Sequence, residues 1–154
     1  MVKFIHAADV HLGITYAGVG KNHKDIAREL KQAAFDVFER VVDVAIEEEV
    51  DALVLAGDLL DSSRTFVKEK LFLQSQLNRL APFGIPVVVA LGNHDAGTSY
   101  VSGKHIYTFG SAIETIEVET RNGERVAFSG FSYEVPVVAS RKVQEYPVKS
   151  ANCD

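Results

Sequence analysis

Apolar positions along this 154-residue chain follow two rhythms. Residues 52–56 (ALVLA) form a run without alternation, the pattern of a strand covered on both faces in a parallel sheet. Residues 3–8 (KFIHAA) and 87–91 (VVVAL) are further short runs that read as strands. Between the first two, Ile26, Leu30, Ala34, Val37, Val41 and Val44 recur at spacings of three and four. That period predicts a long amphipathic helix from residue 25, with Phe35 and Phe38 in the core. Glu47, Glu48 and Glu49 sit at its negative end, so its last turn is expected to fray. Residues 66–80, apolar at Phe66, Leu73, Leu77 and Leu80, predict a second helix that stops before Pro82 and Gly84. The alternation of strand and helix predicts a parallel βαβαβ unit with right-handed crossovers.

Beyond residue 95 the rhythm changes. Residues 96–103 have loop composition, and 106–109 read as a short strand. Residues 113–120 and 125–131 flank Asn122-Gly123, a strong hairpin signal. The second half therefore reads as antiparallel strands beginning a second sheet. Residues 132–154, with Pro136 and Pro147, show no clear period. One α/β domain over residues 1–154 is the expected organisation.

Composition refines this picture only at its edges. A content of 47% hydrophobic and 24% charged residues suits one ordinary soluble core. There is no run of eighteen apolar residues and no signal-peptide pattern at the start, so a cytoplasmic protein without membrane contact is expected. Cys153, the single cysteine, reads as an exposed thiol with no internal partner. A net charge of −5 argues against a broad footprint for nucleic acid, so any DNA contact must be local or shared with a partner. The densest basic stretch, Lys21, His23, Lys24, Arg28 and Lys31, reads as the solvated side of a helix start.

The candidate chemistry lies just after the three strands. Asp9 and His11 follow the first, Gly57, Asp58 and Asp61 the second, and Gly92, Asn93, His94 and Asp95 the third. Parallel sheets place ligands beyond the carboxyl ends of their strands. If the backbone stays extended through Val10, Asp9 and His11 point to the same side. His6, inside the strand, reads as a hydrogen-bonded core histidine. Oxygen and imidazole donors without thiolates suit divalent manganese, iron or zinc. Two dications about 4 Å apart repel by on the order of 16 kcal/mol at an effective dielectric near 20, so an anionic ligand must lie between them. Asp58, on the central strand, is the candidate bridge. Asp9 and His11 would hold one ion and Asn93 would offer its amide oxygen to the other. Ions so held polarise a phosphoryl oxygen and acidify water. His94 is the candidate acid for a leaving oxygen, with Asp61 to orient its ring. Asp95 fits either a partner of these groups or a turn residue. Arg64 fits either a phosphate fork for substrate or a surface ion pair.

These three motifs, in this order on successive strand ends, resemble the calcineurin-like metallophosphoesterase superfamily. Within it, HAADVHLG, AFDVFERVVDVAIEEEVDALVLAGDLLDSSR and GIPVVVALGNHD are similar to the SbcD-type DNA repair exonucleases, with a thinner likeness through GFSY at residues 130–133. The resemblance implies an αββα sandwich and two divalent metal ions, usually Mn2+, with Fe2+ or Zn2+ as alternatives. It implies Asp9, His11, Asp58 and Asn93 as metal ligands, His94 as the catalytic histidine and Asp61 as the residue orienting it. It further implies phosphodiester hydrolysis of DNA and an SbcC-type ATPase partner; a homodimer stays open, the sequence leaving the oligomeric state undecided. The family completes its metals with a later lone His and a GHxH motif. Beyond His94 this sequence has only His105, which comes too early to replace that lone His, and no GHxH. The expectation is thus the N-terminal portion of the sandwich, a βαβαβ sheet and the start of a second, truncated before those ligands. A small-molecule phosphodiesterase, a protein phosphatase and a non-catalytic binding module stay open on the same core.

Overall fold

The computed structural model describes residues 1–14, 23–61, 67–120, 123–139 and 141–147. Four short strands, β1 (Phe4–Ala8), β2 (Ala52–Ala56), β3 (Val87–Ala90) and β4 (Ile106–Thr108), lie parallel in that order. Register aligns Ala8 with Ala56 and Ala56 with Ala90, so the chain leaves the first three strands at one level of one edge. Helix α1 (Lys24–Glu47) joins β1 to β2, and α2 (Val67–Asn78) joins β2 to β3. Because the strand order never reverses, right-handed crossovers put both helices on the same face. There Leu53 and Leu55 of β2 and Val87 and Val89 of β3 meet Phe35, Phe38, Val42, Leu73 and Leu77.

The other face has a different cover. Strands β5 (Glu114–Glu119) and β6 (Arg125–Gly130) pair antiparallel as the Gly123 turn predicts. Val118 and Val126 pack with Val88 and Phe109 in a second, smaller core. The described layers are therefore helices, parallel sheet and hairpin. The outer helical layer that would complete an αββα sandwich is not among the described residues.

Four expectations change. Residues 106–108 do not open the second sheet but extend the first as β4, across a connection that carries no helix. The amides of Val87 and Phe109 donate to the carbonyls of His105 and Val89, which uses the edge that β3 would otherwise leave unpaired.

On α1 Phe35 and Phe38 are buried as expected, but the buried stripe runs on through Val42 and Ala45, one position along from the predicted one. Ile26, Leu30 and Val37 are exposed, and Leu30 and Val37 line an open groove of about 530 Å³ between α1 and β1. Two phenylalanines bury more area than valines do, and the Phe35 ring meets that of Phe72 edge-on at 4.8 Å. The larger side chains chose the face.

His6 is exposed rather than in the core, because β1 is an edge strand whose Phe4, His6 and Ala8 face outward. The end of α1 is closed rather than frayed. Glu49 takes a left-handed φ of 50°. Its amide donates to the carbonyl of Ile46 and that of Val50 to Ala45, a Schellman closure. The Lys3 ammonium binds both the carbonyl and the carboxylate of Glu48 at 2.9 and 3.1 Å, which offsets the acidic run. No described helix is long and apolar enough to cross a membrane.

A left-handed conformation costs a side chain about 1–2 kcal/mol that glycine avoids, less what glycine loses in the unfolded chain. Glu49→Gly is expected to raise the unfolding free energy by about 0.5–1 kcal/mol in a urea titration. A fall would mean that the glutamate's own contacts outweigh its backbone strain.

Candidate metal centre

Three chemistry-bearing residues occupy the left-handed region: Asp9 at φ 52°, His11 at 45° and Asp58 at 50°. The backbone therefore does not stay extended through Val10. The two side chains are brought together by turns instead of by strand alternation. Aspartate and histidine tolerate this region better than most residues, and a ladder of backbone hydrogen bonds holds it. The amides of Asp9, His11 and Leu12 donate to the carbonyls of Gly57, Asp58 and Leu59 at 3.2, 2.8 and 3.0 Å, and Asp61 donates back to Leu12 at 3.3 Å. The loop after β1 thus runs alongside the loop after β2.

Their side chains converge. One ligand atom from each of Asp9, His11 and Asp58 lies within 4.8 Å of the others. His11 Nε2 stands 3.8 Å from Asp58 Oδ2 and 4.0 Å from Asp9 Oδ1, too far for hydrogen bonds. His11 Nδ1 is buried and has no hydrogen-bond partner among the described residues. Two carboxylates and an imidazole facing one another at such spacings form a set that a cation with bonds of about 2.0–2.2 Å can join. These residues fit a divalent ion. Asp58 is the most enclosed carboxylate of the group, 14% exposed against 76% for Asp9.

The loop after β3 is built against Asp58. His94 donates its amide to Asp58 Oδ1 at 3.0 Å, leaving Oδ2 toward His11. A Cβ on Gly92 would lie 2.2 Å from Asp58 Oδ1 and 2.5 Å from its amide nitrogen, so only glycine permits this approach. Gly57, at φ 78°, turns the preceding chain. The exposed His94 ring lies edge-on to that of His11, 5.1 Å between centroids, and its Nδ1 is 3.9 Å from Asp61 Oδ1. Asn93 is exposed in the same loop, between Gly92 and His94. Arg64 and Cys153 lie outside the described residues.

Residues outside the three strand-end motifs also support the site. The buried Ser132 accepts the Leu91 amide through Oγ at 2.9 Å, and Tyr133 donates its amide to the carbonyl of Leu91 at 3.0 Å. The GFSY segment thereby backs the β3 loop. Tyr100 donates its hydroxyl to Asp95, and burial together with that bond pushes its phenol well above the ordinary range. The GFSY likeness was a signal for Ser132; Tyr100 had none.

A parallel sheet that gathers carboxylate and imidazole donors at its carboxyl edge, with a hairpin layered behind it, defines a metallophosphoesterase core. Residues 2–146 match the calcineurin-like phosphoesterase family, and the chain belongs to it. It is similar to the uncharacterized metallophosphoesterase YhaO of Bacillus subtilis, 34% identical over 150 residues, or 94% of this chain and 37% of that protein. It is also similar to the DNA double-strand break repair protein Mre11 of Haloferax volcanii, 38% identical over 96 residues, or 62% of this chain and 20% of that protein. The Mre11 of Saccharolobus solfataricus is 34% identical over 95 residues, or 62% of this chain and 23% of that protein. The chain thus spans little more than a third of YhaO and less than a quarter of these Mre11 proteins.

Overpacking a close contact costs about 1–3 kcal/mol. Gly92→Ala is expected to lower the melting temperature and to weaken divalent-cation binding at least tenfold in a calorimetric titration. An alanine variant with unchanged metal affinity would show that the β3 loop can retreat from Asp58 without moving the ligands.

Proposed function

We propose that this chain is the metal-binding portion of a phosphodiesterase acting on DNA. The observation that carries the reading is the convergence of Asp9, His11 and Asp58, with the His94 ring beside them and Asp61 behind that ring. Asp9, His11 and Asp58 would hold a first divalent ion. Asn93 and the remaining valency of Asp58 would serve a second, Mn2+ being the expected metal with Fe2+ and Zn2+ as alternatives. Ions held there would supply positive charge to polarise a phosphoryl group and to acidify water.

The protein's own groups do the rest. Asp61 faces Nδ1 of His94 and favours the tautomer that carries its proton there. Nε2 is then the atom available to the departing oxygen, where the imidazole assists bond cleavage by hydrogen bonding or proton transfer. Exposure of His94 at the sheet edge suits a large substrate that lies across the surface. Arg64, three positions after Asp61 in the sequence, is proposed to contact a phosphate.

DNA is favoured over a small phosphodiester or a phosphoprotein by the names of the Mre11 relatives and by the SbcD-like motifs. An SbcC-type ATPase and a second copy of the chain belong to the same proposal. They agree with a net charge of −5, which leaves most of the DNA-binding surface to a partner.

The test is hydrolysis of bis(p-nitrophenyl) phosphate and of linear duplex DNA by the intact protein, with Mn2+ and with chelator. Mn2+-dependent turnover of both supports the reading, and turnover of the small ester alone would redirect it to a small-molecule phosphodiesterase. His94→Ala is expected to reduce turnover at least a hundredfold with Mn2+ content unchanged, whereas Asp58→Asn loses the metal. The reverse pattern would exchange the two roles.

A further inference from the structure

We infer that Asp95 and Tyr100 form a positioning pair that holds the loops after β2 and β3 in register and so aims Asp58 and His94. This rests on the proposed metal-dependent reading for its consequence in catalysis, but its geometry stands alone. Asp95 is 1% exposed, the most deeply buried carboxylate among the strand-end residues, and it touches neither His11 nor Asp9. Its carboxylate spans three segments. Oδ2 accepts the amides of Leu59 and Gly92 at 2.9 and 3.2 Å, and Oδ1 accepts the amide of Leu60 at 3.1 Å and the hydroxyl of Tyr100.

Four donors fill the acceptor capacity of one carboxylate. The two donors at Leu59 and Leu60 directly follow Asp58, whose left-handed φ of 50° turns the chain there. Asp95 thus offsets the strain of the turn that presents Asp58. In return, the amide of Gly92 fixes the start of the loop that carries Asn93 and His94, and His94 closes the circuit by donating to Asp58 Oδ1. Tyr100 anchors Asp95 from outside this circuit, and the Lys70 ammonium of α2 lies 5.8 Å above the Tyr100 ring. An asparagine at 95 cannot replace the carboxylate. Either orientation of its amide points an NH2 at a backbone amide that is itself a donor, Leu59 and Gly92 on one side or Leu60 on the other, where only the Tyr100 hydroxyl could turn to accept.

The test compares intact wild-type protein with Asp95→Asn, Tyr100→Phe and Val118→Ala, the last a destabilising change in the second core. In metal-free protein, amide hydrogen exchange at Leu59, Leu60 and His94 is expected to accelerate at least tenfold in Asp95→Asn and about threefold in Tyr100→Phe. Val118→Ala is expected to leave these three amides unchanged relative to the rest of the chain. Mn2+ affinity should fall at least tenfold in Asp95→Asn and measurably in Tyr100→Phe, with kcat reduced and KM unchanged. Tyr100→Phe keeps the charge and shape, so it decides the matter if Asp95→Asn does not fold. Local exchange and Mn2+ affinity in Tyr100→Phe equal to wild type would overturn the inference, as would equal losses in Val118→Ala. Accelerated local exchange with no phosphodiester turnover in any variant, wild type included, would sustain the positioning role and sink the functional reading.

Discussion

Left-handed backbone at Asp9, His11 and Asp58 is the constraint on which the site depends. Each such residue costs about 1–2 kcal/mol relative to an ordinary conformation, and three together would be untenable on isolated loops. They persist because the loops are not isolated. The turn after β1 is hydrogen-bonded to the turn after β2, and the turn after β2 to the carboxylate and amides of the turn after β3. Each turn supplies the partners that the next one lacks.

Parallel register makes this exchange geometrically available. With Ala8, Ala56 and Ala90 at one level, three loops begin side by side, about one strand spacing apart. Both helices lie on one face of the sheet and the hairpin on the other, so the carboxyl edge stays open to solvent. Negative charge collects there, no lysine or arginine among the described residues forms an ion pair with Asp9 or Asp58, and His11 faces both at distances that leave room for an ion. Gly92 then matters as space, since any Cβ would strike the carboxylate that two loops share.

The departures from sequence expectation have a common origin. Two apolar stripes on α1 lie side by side; Phe35 and Phe38 were recognisable as core, but periodicity alone cannot rank Ile26, Leu30 and Val37 against Val42 and Ala45. Packing against Phe72 and β2 ranks them. Burial of His6 depended on whether β1 is central or at an edge, a question of strand order. The acidic run at the end of α1 is offset by Lys3, 45 positions earlier in the chain. Residues 106–108 were recognisable as a strand, yet their choice of sheet turned on the free edge of β3.

The strands, the helices, the hairpin and the polar residues at the strand ends were legible in the sequence, because each is local: an apolar run, a period, a glycine turn, a short motif. Which atoms face one another was decided only by tertiary structure. Asp9 and His11 meet Asp58 through turns that no spacing rule describes, since their conformation is held by backbone donors and acceptors that every residue carries alike. For the same reason Asp95 was visible as the last letter of a motif, while its partners, the amides of Leu59, Leu60 and Gly92, left no trace in the side-chain code.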